Sequence, residues 1–400
     1  MMSSALTFSV AILAVPLAAL AAHNPSANDA KMAAAKTSGW DKAAAAKYLD
    51  DREVWWQAWP HAQKDHDTVC VSCHTQVPYA LARPAMRSQL GEHAISDPER
   101  IMLESIIKRV NLGNDAATFY SDAEHGPGKT KEARNAEAVN NALILVAYDA
   151  ESSRAADGKI AYRTQPAIHA ASRKAFEAMW ATQEQTGPKA GAWLWQNFHF
   201  SPWEAPESEY YGAAQAALAA GIAPGNYRDD PKIQGNLALL RNYLRRELPN
   251  QPLINRVALL WASSKLSGLM TGQEREALAD ELKSKQHADG GWSLTDLGRN
   301  KEGESSWKRH DDTPFDLRSD GYATGLIVLA LEENGLGNIS PAKKGLVWIL
   351  ANQDKSEGLW PAWSINRHRE PNSDAGKFMS DAATGFSVLA LENSRVDGTK

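Results

Sequence analysis

Two stretches decide the fold: Ser319–Gly335, SDGYATGLIVLALEENG, and Ser380–Ser394, SDAATGFSVLALENS. They share Ser-Asp, Ala-Thr-Gly and Val-Leu-Ala-Leu-Glu, with one residue fewer before the second Ala-Thr-Gly. Agreement this close within one chain marks an internal repeat. A weaker copy is SEYYGAAQAALAAG from Ser208. NAEAVNNALILVAYDA from Asn135 and NQPLINRVALLWASSKL from Asn250 keep the same outline of polar cap, small residues and apolar run. CVSCHTQVPYALA, from Cys70, falls in the same register as a sixth member.

An amphipathic segment precedes each of these apolar runs. The six are DKAAAAKYLDDREVWWQAW, DPERIMLESIIKRV, ASRKAFEAMWATQEQ, KIQGNLALLRNYLRREL, GQEREALADELKSKQ and PAKKGLVWILANQ. Apolar residues at i, i+3 and i+4 with charges on the other face predict helices lying on a surface. Asp97-Pro98 and Ser340-Pro341 supply starts for two of them. No run of alternating β-branched residues predicts a central strand. The expected architecture is all-α: six outer and six inner helices closing into one (α/α)6 toroid over residues 41–395.

The remaining bulk properties narrow the function. The 400 residues are 43% apolar and 23% charged, the profile of a globular chain with a large core. A formal net charge of −5 gives no basic footprint for nucleic acid or an anionic membrane. Leu6–Ala22 is almost wholly apolar and Ala19-Leu20-Ala21 offers small residues for cleavage, which predicts a signal peptide over residues 1–21 and an exported, periplasmic protein. No Lys or Arg precedes that run, so an uncleaved anchor is the competing reading; Pro16 and the shortness of the run speak against it. Residues 22–40 read as a flexible leader, and no other segment is long and apolar enough to span a bilayer.

QHADGGW (Gln286–Trp292) carries the Gln-x3-Gly-x-Trp pattern and resembles the repeat motif of squalene-hopene cyclases and related terpenoid cyclases. QDKSEGLW (Gln353–Trp360) has one residue more, and QEQTGPKAGAW (Gln183–Trp193) is a stretched version. The resemblance implies that these Gln and Trp residues cap an outer helix and pack on its neighbour. It thereby assigns much of the high tryptophan count, 14, to structure. It speaks for fold more than for activity. In that family the proton donor belongs to an Asp-x-Asp-Asp signature. Here Asp320 takes the first position, followed by Gly321, Tyr322 and Ala323, while Arg309–Thr313, RHDDT, offers a shifted pair in Asp311 and Asp312. A carboxylic acid held protonated is needed to protonate an alkene, and a displaced pair does not supply it. Protein prenyltransferases, which look like toroids too, are built around zinc with an Asp, Cys and His ligand set; both cysteines here are claimed by another motif. The acidic run His310–Asp320 reads as a solvated loop, with a substrate or metal role as the alternative.

That other motif is Cys70-Val-Ser-Cys73-His74, which contains both cysteines of the chain. The spacing predicts two thiols on one face of a short helix that form thioethers with the vinyl groups of a haem, with His74 on the iron. Three alternatives stand beside it: a Cys70–Cys73 disulfide, a thioredoxin-like pair lacking its α/β setting, and a zinc site lacking a second ligand pair. The expectation is one covalent haem c per chain at the mouth of the toroid. The motif resembles that of c-type cytochromes, which implies attachment outside the cytoplasm. A protein redox partner follows, with electron transfer or haem-dependent chemistry on a small apolar ligand as the function. A toroidal binding module with a structural or sensory haem and a divergent terpenoid cyclase are the rivals. Met86 stands twelve residues past His74, which along a helix is about 18 Å and too far to fold back. The candidates for a sixth ligand are His66, His125, His199, His310, His368 and Met379, with a vacant position equally allowed.

Overall fold

The computed structural model describes residues 39–121, 123–152, 168–298 and 307–394, so the expected signal peptide and nearly all of the leader lie outside the described residues. Twelve α-helices occur among them. The outer set is α1 (Lys42–Ala58), α3 (Asp97–Leu112), α5 (Ala170–Ala181), α7 (Gln234–Glu247), α9 (Gly272–Lys285) and α11 (Ser340–Ala351). The inner set is α2 (Gln76–Leu90), α4 (Gly126–Ser152), α6 (Ser208–Ile222), α8 (Leu253–Lys265), α10 (Gly321–Glu333) and α12 (Phe378–Asn393). Each inner helix packs against the next, and α12 closes the ring on α2, giving the (α/α)6 toroid. None of the described helices is long and apolar enough to cross a membrane.

The repeat residues explain the closure. In α10 every residue from Gly321 to Leu331 is buried, as befits a helix apolar on all sides. The Thr of each Ala-Thr-Gly holds a tryptophan backbone: Trp292 N donates to Thr324 Oγ1 at 3.0 Å and Trp360 N to Thr384 Oγ1 at 3.1 Å. A Cβ on Gly325 would lie 2.7 Å from the amide nitrogen of Ser387, so only glycine lets α10 and α12 approach this closely.

The Gln and Trp staples do what the resemblance implied. Indole Nε1 of Trp193, Trp292 and Trp360 donates to Met179, Leu282 and Ile349, the last-turn carbonyls of α5, α9 and α11. The amides of Gln183, Gln286 and Gln353 reach Asn236, Pro341 and Asp41, at the start of the following outer helix. Gln353 also accepts from Asp41 N at 2.7 Å, which joins the last outer helix to the first. Gly358 in this staple has φ +84°, and an added Cβ would stand 2.1 Å from the carbonyl oxygen of Ala44.

Two local expectations are corrected. The cap of α3 is Ser96 rather than Asp97, because Ser96 and Glu99 form a reciprocal capping box, and α11 is preceded by Ile339 with no side-chain cap. The cysteines do not sit on a helix: a hairpin of β1 (Gln63–Lys64) and β2 (Thr68–Val69) leads to extended chain at Cys70, and α2 begins at Gln76.

Candidate functional site at the mouth of the toroid

Several elements hold the Cys70–His74 segment in place. Cys70 N donates to Ala62 O at 2.9 Å, and the Trp56 indole donates to Cys70 O at 2.7 Å. Arg109, almost wholly buried, makes a two-pronged pair with Glu137 and donates to Thr68 Oγ1 at 2.8 Å, which fixes the hairpin. Ser72 Oγ accepts from Thr75 N and Gln76 N and so caps α2.

His74 lies in an aromatic box. Phe378 stacks on it with ring centroids 4.0 Å apart, Trp56 meets it edge-on at 5.2 Å, and Trp203 stands 5.5 Å away. Its Nδ1 is 2.9 Å from Thr75 Oγ1, and the Thr75 hydroxyl donates to Asp381 Oδ2 at 2.7 Å. Asp381 in turn accepts from Tyr48 OH and from Arg52 Nε, both at 2.7 Å. A hydroxyl has one proton, and here the ion-paired carboxylate takes it. Thr75 Oγ1 can therefore only accept from His74, which places the imidazole proton on Nδ1 and leaves the Nε2 lone pair free. Burial, helped by the charges of Arg52 and Arg369, pushes His74 down to about 3, so the ring is neutral.

Cys70, Cys73 and His74 line one cavity that opens where the inner helices begin. Trp56, Trp59, Phe119, Phe200, Trp203 and Phe378 give it an aromatic wall, and Asn140, Glu137 and Glu204 the polar groups. The space free of protein atoms is about 1170 Å³, mouth included. Both cysteines are free and buried, and burial pushes each thiol up to about 12. Asn140 Nδ2 lies 3.3 Å from Cys73 Sγ, and its buried Oδ1 has no hydrogen-bond partner among the described residues. Burial likewise raises Glu204, which accepts from Tyr120 OH at 3.2 Å, to about 7.

The sixth-ligand candidates separate. His66, His199, His310 and His368 are exposed outside the lining; His66 sits in the hairpin turn. His125 stands one layer back, on Tyr120 at 4.9 Å. Met86 is buried in α2, away from the cavity. Met379 alone of the six lines it. It directly follows Phe378, the residue stacked on His74, at the start of α12, and is almost wholly buried.

The acidic run comes apart in the fold. Asp311 is exposed and bonded to Thr313 and to the His368 amide, which lowers it to about 2, the reverse of what an alkene-protonating acid requires. Asp312 pairs with Lys308, Asp316 pairs with Arg318, and Asp320 caps α10. No three His, Cys, Asp or Glu side chains converge on a metal-ion site among the described residues. Sequence reasoning missed Thr75 and Asp381, although Asp381 was visible as the repeat counterpart of Asp320.

No protein-family model matches the chain, and no curated protein does. Among solved structures, a glycosidase in complex with glucose is similar over 88% of this chain and 98% of its own, with a TM-score of 0.47 and 11% identity.

Proposed function

We propose that the mouth cavity holds one haem, joined through thioethers at Cys70 and Cys73 and ligated by His74, and that the protein is an exported c-type redox protein on a terpenoid-cyclase-like toroid. The observation that carries this is the His74–Thr75–Asp381 chain, which frees Nε2 of a neutral imidazole in the cavity that both thiols line. The aromatic wall of the cavity and the two buried thiols in its lining support this reading. The rival thiol chemistries fit less well. A redox Cys-x-x-Cys works through a thiolate of lowered pKa, and burial here drives both thiols the other way. A zinc site needs further ligands, and no three His, Cys, Asp or Glu side chains converge among the described residues.

Bound there, the haem would supply one-electron transfer. The chain's own part is to hold His74 neutral and oriented, to keep water off the ring with Trp56, Trp203 and Phe378, and to leave apolar space for a small ligand. A partner protein that accepts or delivers the electron belongs to the same reading. The test is the visible spectrum of the chain produced with haem-maturation machinery, before and after unfolding in denaturant. Absorbance that stays with the unfolded chain and disappears in the Cys70→Ala/Cys73→Ala variant is the expected result. A chain that carries no haem refutes the proposal.

A further inference from the structure

Arg369 lines the cavity of His74 and also a second recess beside it, walled by Arg309, Phe315, Arg318, Trp363 and His368. It is half-buried, and among the described residues it has neither an ion-pair nor a hydrogen-bond partner. The carboxylates that line the two recesses or lie close to Arg369 in the chain are engaged elsewhere, Glu370 beside His368. Glu137 belongs to Arg109, Asp374 to Arg52 and Asp316 to Arg318. Glu204 faces Tyr120, and Asp311 faces Thr313 and the His368 amide. The surroundings add positive charge rather than cancel it. Arg367 lies with its guanidinium 5.3 Å from the Phe200 ring, and the buried Arg309 donates only to neutral oxygens such as Ser364 O and Pro314 O.

A guanidinium withdrawn from water without a counter-charge is costly, and an anionic ligand removes that cost. Its planar fork matches a carboxylate through two parallel N–H···O bonds. A haem carries two carboxylates on an otherwise apolar ring. We propose that Arg369 anchors a haem carboxylate in this cavity, with Arg367 and Arg309 supplying the surrounding positive field. The inference rests on the haem reading above.

The test compares haem-bearing wild type with Arg369→Gln and Arg369→Lys, the haem labelled with carbon-13 in its carboxylates. Two quantities are read: the labelled carboxylate stretch in redox-difference infrared spectra, and the midpoint potential. In Arg369→Gln the labelled band is expected to shift and the potential to fall, because a positive charge beside the iron favours the reduced form. Arg369→Lys keeps the charge and restores the potential, but not the two-pronged band position. A haem-bearing Gln variant with band and potential both unmoved overturns the anchor while leaving the haem reading intact. An unsubstituted chain that retains no haem overturns both, and that result is read independently of Arg369.

Discussion

Asp381→Asn tests the support of His74 most directly. The carboxylate is buried and accepts from four donors: Tyr48 OH, Thr75 Oγ1, and Arg52 through Nε and Nη2. Arg52 is itself only 5% exposed. Its remaining acceptors are Asp374 O at 2.9 Å and a 3.3 Å contact to the mostly exposed Asp374 carboxylate. Asparagine keeps the shape but removes the charge, so Arg52 becomes a buried cation with one weak counter-charge. Breaking a buried pair from one side costs about 3–5 kcal/mol, and the surviving Asp374 contacts argue for the lower end. The asparagine amide has one acceptor oxygen where the carboxylate had two, so Thr75 and Tyr48 compete for it and the proton order from residue 381 to His74 is no longer fixed. Two assays check this. Denaturant unfolding should show a stability loss of about 3 kcal/mol, and nitrogen-15 NMR of the His74 ring in chain produced without haem should show the single Nδ1–H tautomer giving way to a mixture. A loss under about 1 kcal/mol with the Nδ1–H tautomer intact would refute the relay argument.

Four further outcomes are expected. Met379→Leu should convert a low-spin to a high-spin visible spectrum, because Met379 is the one sixth-ligand candidate that lines the cavity of His74; an unchanged spectrum would remove it as the second ligand. Gly358→Ala should cost at least about 3 kcal/mol in thermal or denaturant unfolding, since its Cβ meets the Ala44 carbonyl at 2.1 Å. Gly268→Ala, at the same φ of +84° but with its nearest neighbour at 3.5 Å, should cost only about 1–2 kcal/mol, and equal losses would count against the steric account. Glu53 is fully buried, accepts from Gln57 and Gln76, and is raised by burial from 4.5 to about 7. The folded state therefore holds a proton that the unfolded chain has released between those values, so stability falls as pH rises through that window, by at most about 3 kcal/mol from this group. Glu53→Gln should flatten that part of the stability profile, and an unaltered slope would show that Glu53 is ionised in the fold.

The sequence by itself determined the repeat, the six helix pairs, the all-α toroid and the three residues singled out at the mouth. Each is encoded locally: helical periodicity, the Gln-x3-Gly-x-Trp staples and the Cys-x-x-Cys-His spacing are all readable within a dozen residues. What only the tertiary structure decided are relations between residues distant in the chain. Thr75 meets Asp381, 306 positions further along the chain, across the point where α12 closes the ring on α2. Asp320 and Asp381 read alike in the repeat, yet Asp320 caps its own helix while Asp381 turns to Thr75, Tyr48 and Arg52. The acidic run looked like a cluster, but extended backbone and local partners send its carboxylates in separate directions. Met379 and five histidines were indistinguishable as ligands, since linear order carries no information about which loops share a wall. Closing a ring brings the first and last repeats into contact, and that contact sets the proton position on His74.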